Sequence, residues 1–455
     1  MKVLLIGLDG VGPQLLKWAK ENKLPNTAKL INAGAYGKLK STMPPLSFPA
    51  WPSFYTGMNP GKHGVFDSLQ LTNEGFKTVS FKSVTGKSLW RIMSEDGKKV
   101  IVMAVPMTYP PETVNGILIS GMDTPSEKVN FTYPNNLKEK LEKEGYRIYV
   151  NRKLYQYPEA LFKEAIELMW KKGEIAIKLM KDNDWDFCML ALNETDVVAH
   201  FLPEKVFECY READKIMGKF IAEIDKETNI VLMSDHGNIP FQGSLYLSSI
   251  LQQEIKQEVR TRDKITRLLS LLLSKARIEG MRYNDKKGVY CTGGGAVYVF
   301  DKAIKEQVFN KLYEFSKQYD FKIYKREEIY FGEFLDKAPD FVIFSEKYIP
   351  QSGYSPKAIV GPPKRPGWHS LYGIIAISGK DIQNTEVKNT EITDLAPTIL
   401  HLMGLPIPRE MDGRVLKEIF NKESELYKKP ISYQEVGEEA KVKRKIKELK
   451  SRGKI

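Results

Sequence analysis

Only five histidines occur in 455 residues, so the neighbours of each are informative. His200 closes the run Asn193-Glu194-Thr195-Asp196-Val197-Val198-Ala199-His200, directly after the apolar stretch Phe187–Leu192. Asp196 and His200 are four apart, which puts both on one face of a helical turn. His236 follows Asp235 in Met-Ser-Asp-His-Gly, after a second apolar stretch, Asn229–Met233. His369 lies in Gly-Trp-His-Ser-Leu-Tyr-Gly, just before a third, and Asp9 ends the first, Val3–Leu8. Three carboxylates and three imidazoles are too many for one tetrahedral ion. They suit two ions in mixed nitrogen and oxygen sites, zinc or manganese rather than magnesium or calcium. Taken singly, each aspartate could cap a helix and each histidine could be a satisfied core group. Six together at strand ends favour metal.

Such a site also needs a nucleophile. Residues 44–67 read Pro-Pro-Leu-Ser-Phe-Pro-Ala-Trp-Pro-Ser-Phe-Tyr-Thr-Gly-Met-Asn-Pro-Gly-Lys-His-Gly-Val-Phe-Asp, and Ser47 stands between prolines that largely set its backbone. A metal on its Oγ would lower the hydroxyl pKa and supply an alkoxide near neutral pH. The plainer reading is a proline-rich surface loop with ordinary serines.

The elements that must position these groups alternate. Val3–Leu8, residues 98–104, Phe187–Leu192, Asn229–Met233, Phe341–Phe344 and Ile374–Ile377 read as buried strands. Pro13 opens a helix, as its fixed φ allows, and residues 26–33, 158–181, 203–225 and 394–403 read as further helices. The alternation predicts an α/β fold: a mostly parallel central sheet with helices on both faces. In an open sheet of this kind, ligands bind outside the carboxyl ends of the strands, where the polar groups lie. Residues 245–340 break the rhythm with Lys, Arg, Tyr and a leucine cluster, Leu268–Leu273. They read as an inserted cap subdomain, the cluster as a cap helix packed on the core rather than an interfacial membrane helix. The expected organisation is a core from 1–244 and 341–420, the insert between, and a basic helical tail at 421–455.

Composition bounds the function. With 42% hydrophobic and 28% charged residues the chain can bury a substantial core, which excludes a disordered protein. No apolar run approaches the roughly 20 residues of a membrane span, and Val3–Leu8 is too short for a signal-peptide core. Three widely spaced cysteines, Cys188, Cys209 and Cys291, argue against a disulfide framework and fit a reducing cytoplasm. The net charge of +12 lies mostly in residues 441–455, which hold eight basic residues and one acid. That tail reads as a solvated amphipathic helix, with Val442, Ile446 and Leu449 on one face, and with weak contact to anionic surfaces as the alternative.

Together these pieces resemble the alkaline phosphatase superfamily and, within it, the type I phosphodiesterase/nucleotide pyrophosphatase family. The similar segments are Leu-Asp-Gly at 8–10, Pro45 to Asp67, Thr195-Asp196 with His200, Ser234-Asp235-His236-Gly237, Gly367-Trp368-His369, Ile392 to Leu400, Met403-Gly404-Leu405-Pro406 and Met411-Asp412-Gly413. They run from residue 2 to about 416, with 245–340 unmatched. The resemblance implies that Asp196, His200 and His369 bind one divalent ion, and Asp9, Ser47, Asp235 and His236 the other, zinc first and manganese second. It implies Ser47 as nucleophile, a phosphoseryl intermediate, and a small phosphate-ester substrate, with no specific nucleic acid as partner. His63 and His401 read as structural.

Two departures stand out. The phosphodiesterase group usually has threonine as nucleophile, where this chain has Ser47, as monoesterases do. The group also often carries an asparagine after the His-Gly turn that contacts a phosphoryl oxygen; Ser68 stands there. No arginine lies between Lys40 and Lys77, whereas Phe48, Trp51, Phe54 and Tyr55 do. An aromatic, arginine-poor pocket suits a diester better than a monoester dianion, with Phe48, Trp51 and Ser68 as the expected substrate contacts. A sulfatase is disfavoured because Trp51 stands where Cys/Ser-x-Pro-x-Arg needs arginine. A dinucleotide site at Gly7–Gly12 is disfavoured by its spacing and by Asp9. The substrate domain usual in cofactor-independent phosphoglycerate mutases is not apparent. The reading from another class, a non-catalytic binder of anionic surfaces, predicts that Asp9 and His369 are dispensable. The physiological substrate and oligomeric state stay open.

Overall fold

The computed structural model describes residues 1–72, 75–252, 288–352, 359–362 and 365–434. The leucine cluster Leu268–Leu273 and the tail beyond 434 lie outside them. Nine strands form the central sheet: β1 (Val3–Leu8), β2 (Gly34–Lys40), β3 (Val100–Val105), β4 (Gly116–Ser120), β5 (Thr132–Tyr133), β6 (Phe187–Leu192), β7 (Asn229–Met233), β8 (Tyr372–Ser378) and β9 (Thr385–Glu391). Their order is β9-β2-β8-β7-β1-β6-β3-β4-β5. Pairing is parallel except where β8 meets β7 and β2, and where β4 meets β5.

β1 sits at the centre because every one of its residues is buried. Val3 and Leu5 pack into one apolar cluster, Leu4, Ile6 and Leu8 into another, so the two faces of the strand feed separate cores. A continuous apolar run is what a parallel strand covered on both faces requires. On the first face lie α1 (Ser47–Thr56), Leu89–Glu95 and α5 (Leu395–Leu402). On the second lie Gln14–Lys20, Pro25–Ala33, α2 (Pro158–Asp182) and α4 (Val206–Glu223). The expected helices on both faces are therefore present.

The register explains the site. Leu8 pairs with Leu192, and Gly7 with Met233, so β1, β6 and β7 end at one edge. The residues that follow, Asp9, Asn193 and Ser234–Asp235, emerge side by side. β8 runs the opposite way and therefore starts at that same edge, which brings His369, three residues before it, alongside. The short strand Gly237–Pro240 pairs antiparallel with Gly367–Ser370, setting Asn238 opposite His369.

Between Gly243 and Val360 the chain builds its own sheets. Val289–Cys291, Ala296–Val299, Phe341–Phe344 and Lys322–Lys325 form one, and Tyr348–Gln351, Gly243–Tyr246 and Val360–Gly361 another. The helix Lys305–Tyr319 buries Val308 and Leu312 against Val297, Phe341 and Ile343. Phe341–Phe344, read from sequence as the first strand of the second core segment, is thus an inner strand of the insert's sheet. The chain rejoins the central sheet only at β8. A four-residue apolar run carries no mark of which sheet it joins. The insert is also clamped to the core: Tyr330 Oη donates to the Met43 carbonyl at 2.6 Å, the Phe331 amide to Asn59 Oδ1 at 3.2 Å, and the Phe334 amide to the Gly61 carbonyl at 2.8 Å.

Candidate active site

The helix α1 is buried along nearly its whole length and begins with Ser47. A helix start favours negative charge on a group held there. Ser47 Oγ lies 3.2 Å from Asp9 Oδ1 and 3.1 Å from His236 Nε2. His236 Nε2 is 3.3 Å from Asp235 Oδ2 and 3.7 Å from Asp9 Oδ1. Asp9, Asp235 and His236 thus make one cluster of donors, all buried.

Asp196, His200 and His369 make the second. Helix α3 (Glu194–Phe201) follows β6 and turns Asp196 and His200 the same way, with Nε2 of His200 3.2 Å from Asp196 Oδ2. His369 Nε2 lies 3.7 Å from Asp196 Oδ1 and 2.9 Å from His200 Nε2. The two clusters adjoin, for the His236 and His369 rings stack at 3.9 Å. All six residues expected from sequence are brought together here with Ser47.

The protonation pattern fits cations. Nδ1 of His200, His369 and His236 lies 2.9, 2.8 and 3.0 Å from the carbonyls of Gly367, Pro45 and Gly237. A carbonyl only accepts, so each Nδ1 carries a proton, and in the neutral ring each Nε2 presents a lone pair. Lone pairs of His200 and His369 then face each other across 2.9 Å, an arrangement that a cation between them relieves. Asp196 Oδ1 and Asp235 Oδ2 are buried without a hydrogen-bond partner. Burial, with Asp235 and Asp196 next, pushes the Asp9 carboxyl well up. Burial raises Asp235 to about 8. At Asp196 burial acts the same way, but His200 and then His369 outweigh it and hold the carboxyl below its ordinary value. Burial, then His236, pushes His369 well down. Carboxylates so desolvated are poised to take a metal charge.

Several supporting groups escaped sequence reasoning. Asn193 Nδ2 donates to Asp9 Oδ2 at 2.7 Å, and Thr195 Oγ1 to the Asp9 carbonyl at 2.6 Å. The Gly10 amide donates to Asp235 Oδ1 at 3.1 Å. Gly10 has φ of +67°, and a Cβ there would stand 2.4 Å from Asp196 Oδ1. Its position requires glycine twice over. Gly367 is similarly pressed, since a Cβ would meet the Ala199 carbonyl at 1.9 Å. Only the position of Asn193, next to a strand end, could have signalled its role.

Trp51 is a correction. It was expected to touch substrate, but it is fully buried, with Nε1 3.4 Å from Asp9 Oδ2. The spacing of α1 turns it inward beneath the site, so it supports Asp9 and leaves no exposed surface for a substrate to touch. Phe48, one turn earlier, is half-buried. Ser68 is half-buried too, and its Oγ donates to Asp67 Oδ1 at 2.9 Å. His63 is fully buried between Ser53 Oγ at 2.9 Å and the Val65 amide at 3.2 Å. His401 Nε2 lies 3.0 Å from the Leu426 carbonyl.

A mostly parallel sheet with helices on both faces and two His/Asp clusters at its carboxyl edge defines an alkaline phosphatase-like protein. Comparison with known families specifies it further. The family described as type I phosphodiesterase / nucleotide pyrophosphatase matches residues 3–359, and the chain belongs to it. The match runs through the insert and stops short of His369. Among solved structures, phosphonoacetate hydrolase from Sinorhizobium meliloti 1021, in complex with phosphonoacetate, is 15% identical with a TM-score of 0.60, covering 87% of this chain and 94% of that one. Human ectonucleotide pyrophosphatase/phosphodiesterase 5 is 15% identical with a TM-score of 0.57, covering 92% and 100%. The murine protein is 14% identical at 0.56, with the same coverage. No curated protein matches by sequence. Among the described residues no helix is long and apolar enough to cross a membrane.

Proposed function

We propose that this protein hydrolyses phosphodiester or pyrophosphate bonds with two divalent metal ions and a phosphoseryl intermediate on Ser47. The observation that carries the reading is Ser47 Oγ within 3.2 Å of both Asp9 and His236, beside the Asp196–His200–His369 cluster. Asp9, Asp235 and His236, with Ser47, would hold one ion; Asp196, His200 and His369 would hold the other. Zinc suits these imidazole and carboxylate donors best, manganese next. When bound, the ions neutralise charge on the phosphoryl oxygens and acidify the Ser47 hydroxyl.

Ser47 Oγ attacks phosphorus in line, its proton passing to solvent. The bond to the leaving group breaks on the opposite side. Water then cleaves the seryl phosphate and restores Ser47. Asn193, Thr195 and Trp51 hold Asp9, and the three carbonyls hold the imidazoles, so little reorganisation accompanies the reaction. The arginine-free segment from Lys40 to Lys77 supports a diester over a monoester. Three buried free cysteines suit a reducing compartment such as the cytoplasm.

The test is hydrolysis of bis(p-nitrophenyl) phosphate beside p-nitrophenyl phosphate, with Zn²⁺, Mn²⁺ or chelator, for wild type and Ser47→Ala. The expected result is metal-dependent release that favours the diester and disappears in Ser47→Ala. Full activity in Ser47→Ala overturns the covalent mechanism. Preference for the monoester moves the enzyme to the phosphatase branch.

A further inference from the structure

The insert reaches the nucleophile's segment through one turn. Thr292-Gly293-Gly294-Gly295 joins the strands Val289–Cys291 and Ala296–Val299, which pair antiparallel with Cys291 opposite Val297. Its own bonds fix its shape. The Thr292 amide donates to the Ala296 carbonyl at 2.9 Å, and Thr292 Oγ1 accepts from the amides of Gly294 at 3.3 Å and Ala296 at 3.1 Å. The Ile343 amide donates to the Gly295 carbonyl at 2.8 Å and ties the turn to the next strand of the same sheet.

The turn rests on the residue before Ser47. A Cβ at Gly294 would stand 2.5 Å from Leu46 Cδ1 and 3.3 Å from Asp67 Oδ2. Leu46 is buried, and its extended backbone leads directly into Ser47 at the start of α1. Gly293 differs from its neighbour. It is exposed, a Cβ there would meet nothing within 4 Å, and its backbone is not left-handed. A side chain at 293 would therefore be unstrained and would fill only open space.

The geometry of attack decides which part of a substrate meets this turn. In an in-line displacement the nucleophile and the leaving group take opposite ends of the phosphorus, and the other three oxygens lie between them. A wall beside the nucleophile's own backbone faces one of those three, not the leaving group. In a diester one of them carries the substituent that is kept; in a monoester none does.

Resting on the proposed reaction, we infer that the Thr292–Gly295 turn is a specificity element, in which Gly293 leaves room for a bulky substituent on the oxygen that phosphorus retains. The substrate class is then a diester whose retained group is at least the size of an aryl ring. The Ser47 Oγ–phosphorus bond forms as the bond to the leaving oxygen breaks, and that oxygen departs with the electron pair. The retained group stays on phosphorus until water displaces Ser47 Oγ and releases it as a monoester.

The experiment compares kcat/KM for bis(p-nitrophenyl) phosphate and methyl p-nitrophenyl phosphate. Both expel p-nitrophenolate, but one retains an aryl group and the other a methyl. Wild type, Gly293→Ala and Gly293→Leu are measured with metal, and Ser47→Ala is the control. The ratio of aryl to methyl constants is expected to fall stepwise from wild type through Gly293→Ala to Gly293→Leu, on the order of tenfold or more for leucine. Urea midpoints report whether each variant folds, and Gly293→Ala carries the test if the leucine variant does not. The same ratio in wild type and every folded variant overturns the inference and leaves the hydrolase reading intact. A wild type inert on both substrates with either metal overturns the hydrolase reading and this inference with it.

Discussion

Lys172 and Glu194 offer the sharpest test of how the site is held. Lys172 comes from α2 and is fully buried; Glu194 is 2% exposed. Nζ lies 2.6 Å from Glu194 Oε1 and 3.2 Å from the Ile148 carbonyl. Glu194 is the first residue of α3, two before Asp196, and its Oε2 has no hydrogen-bond partner. Lys172→Met would keep the volume and leave an uncompensated carboxylate in the core. Breaking a buried pair from one side costs about 3–5 kcal/mol. Replacing both partners with apolar groups of similar size is near neutral or stabilising. Urea unfolding, followed by tryptophan fluorescence, should therefore show Lys172→Met well below wild type, and Lys172→Met/Glu194→Leu close to it. The single variant should also bind less metal by elemental analysis, because α3 carries Asp196 and His200. A single variant within about 1 kcal/mol of wild type, or a double variant no better than the single, refutes the reasoning.

The remaining predictions concern Gly10 and His63. Gly10→Ala places a methyl against Asp196 Oδ1 in a left-handed backbone conformation, which alone costs roughly 1–2 kcal/mol. Elemental analysis should show metal loss beyond that of a surface Gly→Ala control such as Gly97→Ala, and full metal content would refute the steric account. Burial pushes the His63 imidazole from 6.5 down to about 3. The fold therefore keeps it neutral where the unfolded chain takes a proton. That contribution is full above pH 6.5 and is lost as pH falls towards 3, by about 1.4 kcal/mol per unit. The stability gap between wild type and His63→Gln should shrink by about 2 kcal/mol from pH 7.5 to 5.0; a constant gap in urea midpoints would show that the ring is not held neutral.

Much of the site was legible because its ligands follow strand ends, where apolar runs stop abruptly. Asp9, Asp196, His200, Asp235 and His236 announce themselves in that way, His369 does so by standing just before an apolar run, and the four-residue spacing of Asp196 and His200 was enough to pair them. What escaped depends on register and on long-range packing. Nothing in Gly237–Pro240 says that it pairs with Gly367–Ser370, yet that pairing joins the two clusters. Trp51 reads as a pocket aromatic, and only the seating of α1 against β1 turns it under Asp9. Phe341–Phe344 reads as a core strand, although Phe341 and Ile343 serve the insert's own cluster while Val342 packs with Tyr330 and with Phe66 of the core segment. The clamp from Ile329 to Phe334 onto Met43, Asn59 and Gly61 was equally hidden, because its bonds are mostly to backbone and use no marked residue type. That clamp bears on specificity. An insert joined to the core only at its two ends could swing as a lid, whereas this one is tied at a third point to the segment that carries Ser47. Any shift of the insert must then strain the nucleophile's own loop.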